Sequence, residues 1–264
     1  MITDLIYVYC ISNSPLGMIS DFESKGLKSL MFDDFHVFVK GVPENEFSEE
    51  NFKKNLSDIQ WVESNARDHI RVISQIMECS TVIPFKFGTI YHSEESLKKF
   101  IDDYSDSLRE NFRNIEGKEE WSVKIYCDRK ILNEQIDELS KEAADLETQI
   151  MASSPGKAFL LKRKKNELIE NEMDRLCKFY GQNYFDELRK LSESTSLNNI
   201  LPKEFTGRED NMILNATFLV HKKRVKDFNL IIEKFRRKDR DSGFIIEATG
   251  PWPPFSFISI KEKG

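Results

Sequence analysis

The stretch "GKEEWSVKIYCD", residues 117–128, decides how the chain is divided. Trp121, Val123, Ile125 and Cys127 alternate with polar or amphipathic neighbours, the period-two pattern of a strand with one apolar face. A new unit therefore begins near Gly117, and the 264 residues read as two α+β domains, 1–117 and 118–264.

Upstream, "LIYVYCIS", residues 5–12, crowds aromatic and β-branched residues ahead of the turn signals Asn13, Ser14, Pro15 and Gly17, and reads as the first strand. "LKSLMF" and "FHVFVKGV" flank Asp33-Asp34 as a hairpin. Residues 48–79 follow as helix in two pieces with Ser48 as a cap, and Ile59, Val62, Ala66, Ile70, Ile73 and Met77 form its apolar stripe. "TVIPFKFGTIY", residues 81–91, is a strand interrupted by Pro84, which cannot donate a ladder hydrogen bond and so belongs on an edge or at a bulge. Pro84, Phe87 and Gly88 either set a strand kink and its exit turn or contact a partner directly, and the first use is favoured. A helix capped by Ser93 closes the unit.

Downstream, Leu132, Ile136, Leu139, Ala143, Leu146 and Ile150 step by 4, 3, 4, 3 and 4 residues, a seam suited to packing on another helix. "SSPG", residues 153–156, breaks it. Helical spacing then resumes through Leu161, Leu168, Met173, Leu176 and Tyr180, with a possible bend at Gly181, giving a helical hairpin over about 130–192. A polar loop leads to the strand "MILNATFLVHK", whose face carries Met212, Leu214, Ala216, Phe218 and Val220; a helix over about 224–237 and the strand "GFIIEATG" follow. The second domain is thus a small sheet with a long inserted hairpin.

Apolar residues make up 39% and charged residues 32%, the balance of a soluble globular chain, and no apolar run is long enough for a signal peptide or membrane span. This places the protein in the cytoplasm. Cys10, Cys79, Cys127 and Cys177 lie far apart with no CxxC pair and read as small buried hydrophobes. His36, His69, His92 and His221 stand singly and supply no metal site. Carboxylate pairs such as Asp102-Asp103 and Glu119-Glu120 read as solvated faces. There is no dinucleotide fingerprint, Walker loop, zinc-protease motif or nucleophile elbow, so no catalytic residue and no cofactor is assigned. Basic clusters at 162–165, 221–226 and 234–240 are each followed closely by acidic residues in a chain of net charge −6, which argues against a nucleic-acid partner.

"TGPWPPFSF", residues 249–257, spends three of the eight prolines on one stiff apolar stretch. Gly250, Pro251, Trp252, Pro253, Pro254, Phe255 and Phe257 either present a rigid apolar platform to a partner or fold back to bolt the tail, 250–264, onto the domain interior. The second use is favoured because aromatic residues in a small domain usually serve its core.

Three stretches together resemble the gas vesicle protein F/L family: "TVIPFKFGTIYHSEESLKKFI" at 81–101, "SSPGKAFLLKRKKNEL" at 153–168, which includes Pro155 and Gly156, and "TGPWPPFSFI" at 249–258. With the "IYVYCI" strand and the helix bearing "DHIRVI", the resemblance covers nearly the whole chain. One departure is Ile70, where an acidic residue is expected after His69. The resemblance implies a ferredoxin-like first domain and a non-enzymatic assembly factor. Such a protein binds the small hydrophobic gas vesicle shell protein and other gas vesicle accessory proteins in a chaperone-like manner, as a monomer or weak oligomer associated with gas vesicles. A ligand-sensing regulatory module with a small molecule between the domains is the alternative; an enzyme using an acidic cleft is a third reading.

Overall fold

The computed structural model describes residues 4–15, 26–134 and 141–261. These fall into two compact units, one reaching Glu120 and resuming at Pro251, the other spanning Trp121–Gly250. The sequence reading assigned the whole tail to the second unit; from Pro251 onward it packs instead with the first.

In the first unit β1 (Asp4–Ser12) lies inside a sheet of order β2-β3-β1-β4, built with β2 (Leu27–Phe32), β3 (Phe35–Pro43) and β4 (Val82–Pro84). The two-residue strand β5 (Ile90–Tyr91) also pairs with β1, and every pairing is antiparallel. The sequence expectation of one strand over 81–91 thus becomes two short pieces on one partner. A register shift between Val8 and Cys10 bulges β1 at Tyr9. The β2–β3 hairpin turns on Asp33, whose φ of 48° is one that Asp tolerates better than most residues. Gly17, expected in the turn after β1, lies outside the described residues.

Among the described residues, four helices accompany this sheet: α1 (Glu44–Phe47), α2 (Glu49–Asn55), α3 (Ile59–Met77) and α4 (Glu94–Ile115). Ser48 caps α2, Asp58 caps α3, and Ser93 exchanges bonds with Ser96 at the start of α4. The stripe expected on α3 is corrected. His69, Val72, Ile73 and Ile76 are its buried residues, while Ile59 is 80% exposed. Packing against β1 and β4 selects a face that apolar spacing alone did not mark, because His69 belongs to it.

The second unit contains most of β6 (Lys118–Cys127), then α5 (Arg129–Glu134), α6 (Lys141–Met151), α7 (Pro155–Arg189), β7 (Ser194–Leu197), α8 (Lys203–Thr206), β8 (Asn211–His221), α9 (Val225–Lys238) and all but the last two residues of β9 (Phe244–Trp252). Its sheet has the order β7-β8-β6-β9. Val123 and Ile125 of β6 and Leu214, Ala216, Phe218 and Val220 of β8 form a core with Phe228, Ile232 and Phe235 of α9. The alternation read from β6 and β8 is this face.

Leu132, Ala143, Leu146 and Ile150 are buried as the seam requires; Ile136 and Leu139 lie outside the described residues. α7 is continuous through Gly181. The glycine serves close packing: a Cβ there would stand 3.3 Å from the Ile213 carbonyl oxygen. The stretch read as a polar loop holds β7 and α8. Polar Ser194-Thr195-Ser196 has no strand signal of its own and is held by its ladder with β8. Cys10, Cys127 and Cys177 are buried, but Cys79 is exposed just past the end of α3. No helix among the described residues is long and apolar enough to cross a membrane.

Candidate functional site

Residues 82–91 form a strand, a tight turn and a second strand, both strands on β1. Pro84 ends β4 opposite Cys10, at the edge of the sheet path, where its missing N–H costs no ladder bond. Phe85 N–H then donates to the Tyr9 carbonyl at 2.9 Å, and Val8 N–H donates to the Thr89 carbonyl at 2.9 Å, so the turn is tied at both ends. Gly88 takes φ of 81°, and a Cβ on it would overlap the Phe52 ring. Two independent constraints therefore require glycine there.

Beneath the turn is a buried polar chain. His69 is 1% exposed, and its Nε2 lies 2.9 Å from the Phe85 carbonyl. A carbonyl only accepts, so Nε2 carries the proton and Nδ1 is left as an acceptor. Tyr7 Oη donates to Nδ1 at 2.9 Å, and the same oxygen accepts the Gly88 N–H at 3.3 Å. Each donor has an acceptor. Burial pushes the Tyr7 phenol above its ordinary range, against the Gly88 bond, and holds the His69 imidazolium below its own, against the Phe85 bond. The chain is thus uncharged at neutral pH and acts as a clasp between β1, α3 and the turn. Phe87 is half-buried above it, with ring centres 5.7 Å from Phe52, 5.9 Å from His69 and 6.2 Å from Trp61.

The tail is anchored to the same unit. Pro253 and Pro254 are buried, and Phe255 packs against the core that includes Tyr7, Tyr9, Phe47 and Ile73. Ser256 donates from its N–H at 2.9 Å and its hydroxyl at 2.8 Å to the two carboxylate oxygens of Glu120. Glu120, read from sequence as solvated, is only 5% exposed; burial raises its pKa while the Ser256 bonds oppose that shift. Asn111 of α4 accepts from Ser259 N–H at 3.0 Å and donates to the Ser259 carbonyl at 2.9 Å. Phe257 is half-buried in the short 3-10 turn Phe255–Phe257, whereas Gly250, Pro251 and Trp252 at the end of β9 are exposed.

Pro84, Phe87, Gly88 and Phe255 therefore all belong to the first unit, where Phe87 and Phe255 pack on one core. Pro155 and Gly156 belong to the second and do something different. Pro155 is the first residue of α7, where it has no N–H to leave unpaired, and no atom lies within 4 Å of where a Gly156 Cβ would be. Beside them Phe159 is 72% and Leu160 66% exposed, and Met151 at the end of α6 is 79% exposed. Sequence reasoning passed over Tyr7, Glu120, Asn111 and the Phe159-Leu160 pair. Asn111 was detectable as a polar residue within the buried stripe of Leu108, Phe112 and Ile115 on α4; Glu120 left no comparable signal.

Two sheets with flanking helices define a mixed α/β protein, in which the motif residues lie at a turn, a tail anchor and an exposed helix start. The model for gas vesicle synthesis protein GvpL/GvpF matches residues 5–259, and the chain belongs to that family. It is 24% identical to gas vesicle protein L of Streptomyces sp. (strain CB03234), over 100% of this chain and 96% of that one. It is also 24% identical to gas vesicle protein F of Nostoc sp. (strain PCC 7120), over 97% and 98%. The crystal structure of GvpF from Anabaena sp. PCC7120 superposes with a TM-score of 0.70 at 22% identity, over 98% of this chain and 100% of that one. GvpF from Microcystis aeruginosa gives 0.66 at 20% identity, with the same coverage. The fold is thus shared, and the family gives the protein a role in gas vesicle formation.

Proposed function

We propose that this protein is a non-enzymatic assembly factor that binds the small hydrophobic gas vesicle shell protein, together with other accessory proteins, and keeps the shell protein soluble until it is incorporated. The observation that supports this reading is the family match over residues 5–259, which takes in all three motif segments. A subunit with a large apolar surface aggregates unless a partner covers it, and a soluble protein that does so reversibly lowers its free concentration by mass action. We further read the first unit as ferredoxin-like, on the order β2-β3-β1-β4 with antiparallel pairing throughout, and the site of action as the cytoplasm and the growing vesicle.

Co-expression with the shell protein tests the reading. The soluble fraction of the shell protein rises and the two co-elute. No rise and no complex would remove the proposal, and thermal stabilisation by a small molecule in that case would favour a ligand-sensing module.

A further inference from the structure

The end of the α6–α7 hairpin is a short basic surface with bare apolar residues. Residues 148–166 contain five cations, Lys157, Lys162, Arg163, Lys164 and Lys165, and no carboxylate, in a chain whose net charge is −6. Lys165 is held against α6 by Glu147 at 2.7 Å, which pins the two helices together. Lys157, Lys162, Arg163 and Lys164 are exposed, Arg163 also pairing along the helix with Glu167 at 3.4 Å. Phe159 and Leu160 sit on the outer side of α7, and Arg163 and Lys164 follow each of them by four residues, one helical turn along the same face. Gly156 precedes them by three and four residues and leaves that face bare.

Isolated exposed apolar residues are ordinary, but an adjacent Phe-Leu pair with Met151 at the same end of the hairpin exceeds that background. Among the described residues, the buried ones of α7 are Met173, Leu176, Cys177, Gly181, Tyr184, Phe185 and Leu188, all farther along the helix. The order of groups, apolar and then cationic one turn on, is complementary to a helix laid alongside that presents an apolar turn and then an acidic one.

We infer that this hairpin end is a docking surface for an amphipathic helix with an acidic rim, carried by the shell protein. The inference rests on the shell-protein binding proposed above. Phe159 and Leu160 supply the contact that holds the complex, and Lys162, Arg163 and Lys164 steer the encounter and set its orientation.

The test uses the full chain co-expressed with the shell protein, comparing wild type, Phe159→Ser with Leu160→Ser, and Lys162→Glu with Arg163→Glu and Lys164→Glu. Melting temperature serves as the check on folding. The apolar double variant weakens the complex at least tenfold with its melting temperature unchanged, and the charge reversal weakens it further at 50 mM than at 500 mM salt, where the wild-type charges are already screened. If wild type and both variants bind the shell protein equally, the docking surface is wrong while the proposed function stands. If wild type binds no shell protein, both fall. Phe159-dependent binding to phosphatidylglycerol vesicles, with shell-protein binding indifferent to the substitutions, would assign the surface to lipid and overturn the inference.

Discussion

At 84–88 and at 155–159 the chain uses the same three ingredients, a proline, a glycine and a phenylalanine, in opposite environments. In the first, Pro84 ends an edge strand, Gly88 occupies a left-handed turn against Phe52, and Phe87 covers a fully paired chain of Tyr7 and His69. In the second, Pro155 starts a helix, Gly156 faces open space, and Phe159 is in water. The contrast teaches that a family motif is not one kind of object. One is enclosed by the interior it builds, whereas the other leaves its surroundings unfilled. The tail lies between these cases, with Phe255 partly buried against the core and Trp252 41% exposed.

The sharpest way to break this comparison is to give both glycines a methyl group. Gly88→Ala faces a forbidden φ and an overlap with Phe52, and is expected to cost about 3 kcal/mol in urea denaturation. Gly156→Ala meets nothing and is expected to be neutral or to stabilise by up to about 1 kcal/mol. Equal costs would end the distinction.

Next in size is the tail anchor. Asn111→Ala removes both Asn111 bonds to Ser259, leaving the Ser259 carbonyl only the Ser107 hydroxyl at 3.3 Å, and is expected to cost about 2 kcal/mol, with faster protease cleavage after residue 251 than in wild type. An unchanged cleavage rate would mean that Glu120 and the buried prolines suffice.

The clasp adds a pH dependence. Folded His69 is held neutral, so its pKa lies below the value near 6.5 that it regains on unfolding. Below that value the unfolded chain binds the extra proton, and stability falls as the pH is lowered from about 6.5 toward the depressed folded value, by at most about 1.4 kcal/mol per pH unit. Glu120 acts in the other direction: its raised folded pKa favours the native state below the ordinary carboxyl range and loses that contribution as pH rises through the raised value. Denaturation midpoints across pH 5–8 should therefore slope in wild type and flatten in His69→Gln. An equal slope in both would place the titration elsewhere.

The smallest expected effect on stability is at the hairpin end, where Phe159→Ser with Leu160→Ser should stay within about 0.5 kcal/mol of wild type. A loss above about 2 kcal/mol would show that these residues serve the fold, and the second motif would then resemble the first.

By itself the sequence determined the strands and helices whose signal is periodic: β6 and β8 through alternation, α4 through Ser93 and its spaced apolar residues, α7 from Leu161 onward. It also marked the three motif segments, because prolines and glycines restrict the backbone wherever they occur. Only the tertiary structure decided what those segments are for. Whether Glu120 is solvated depends on Ser256, which is 136 residues away in sequence, and His69 gains its place in the core from Tyr7 and the Phe85 carbonyl. β7 exists because β8 offers it a ladder, and α3 turns toward the sheet the face that holds a histidine. Local propensity is a property of a few neighbouring residues, whereas burial and hydrogen-bond partnership depend on distant ones, so the same proline-glycine-aromatic pattern became a buried clasp at one site and an open surface at another.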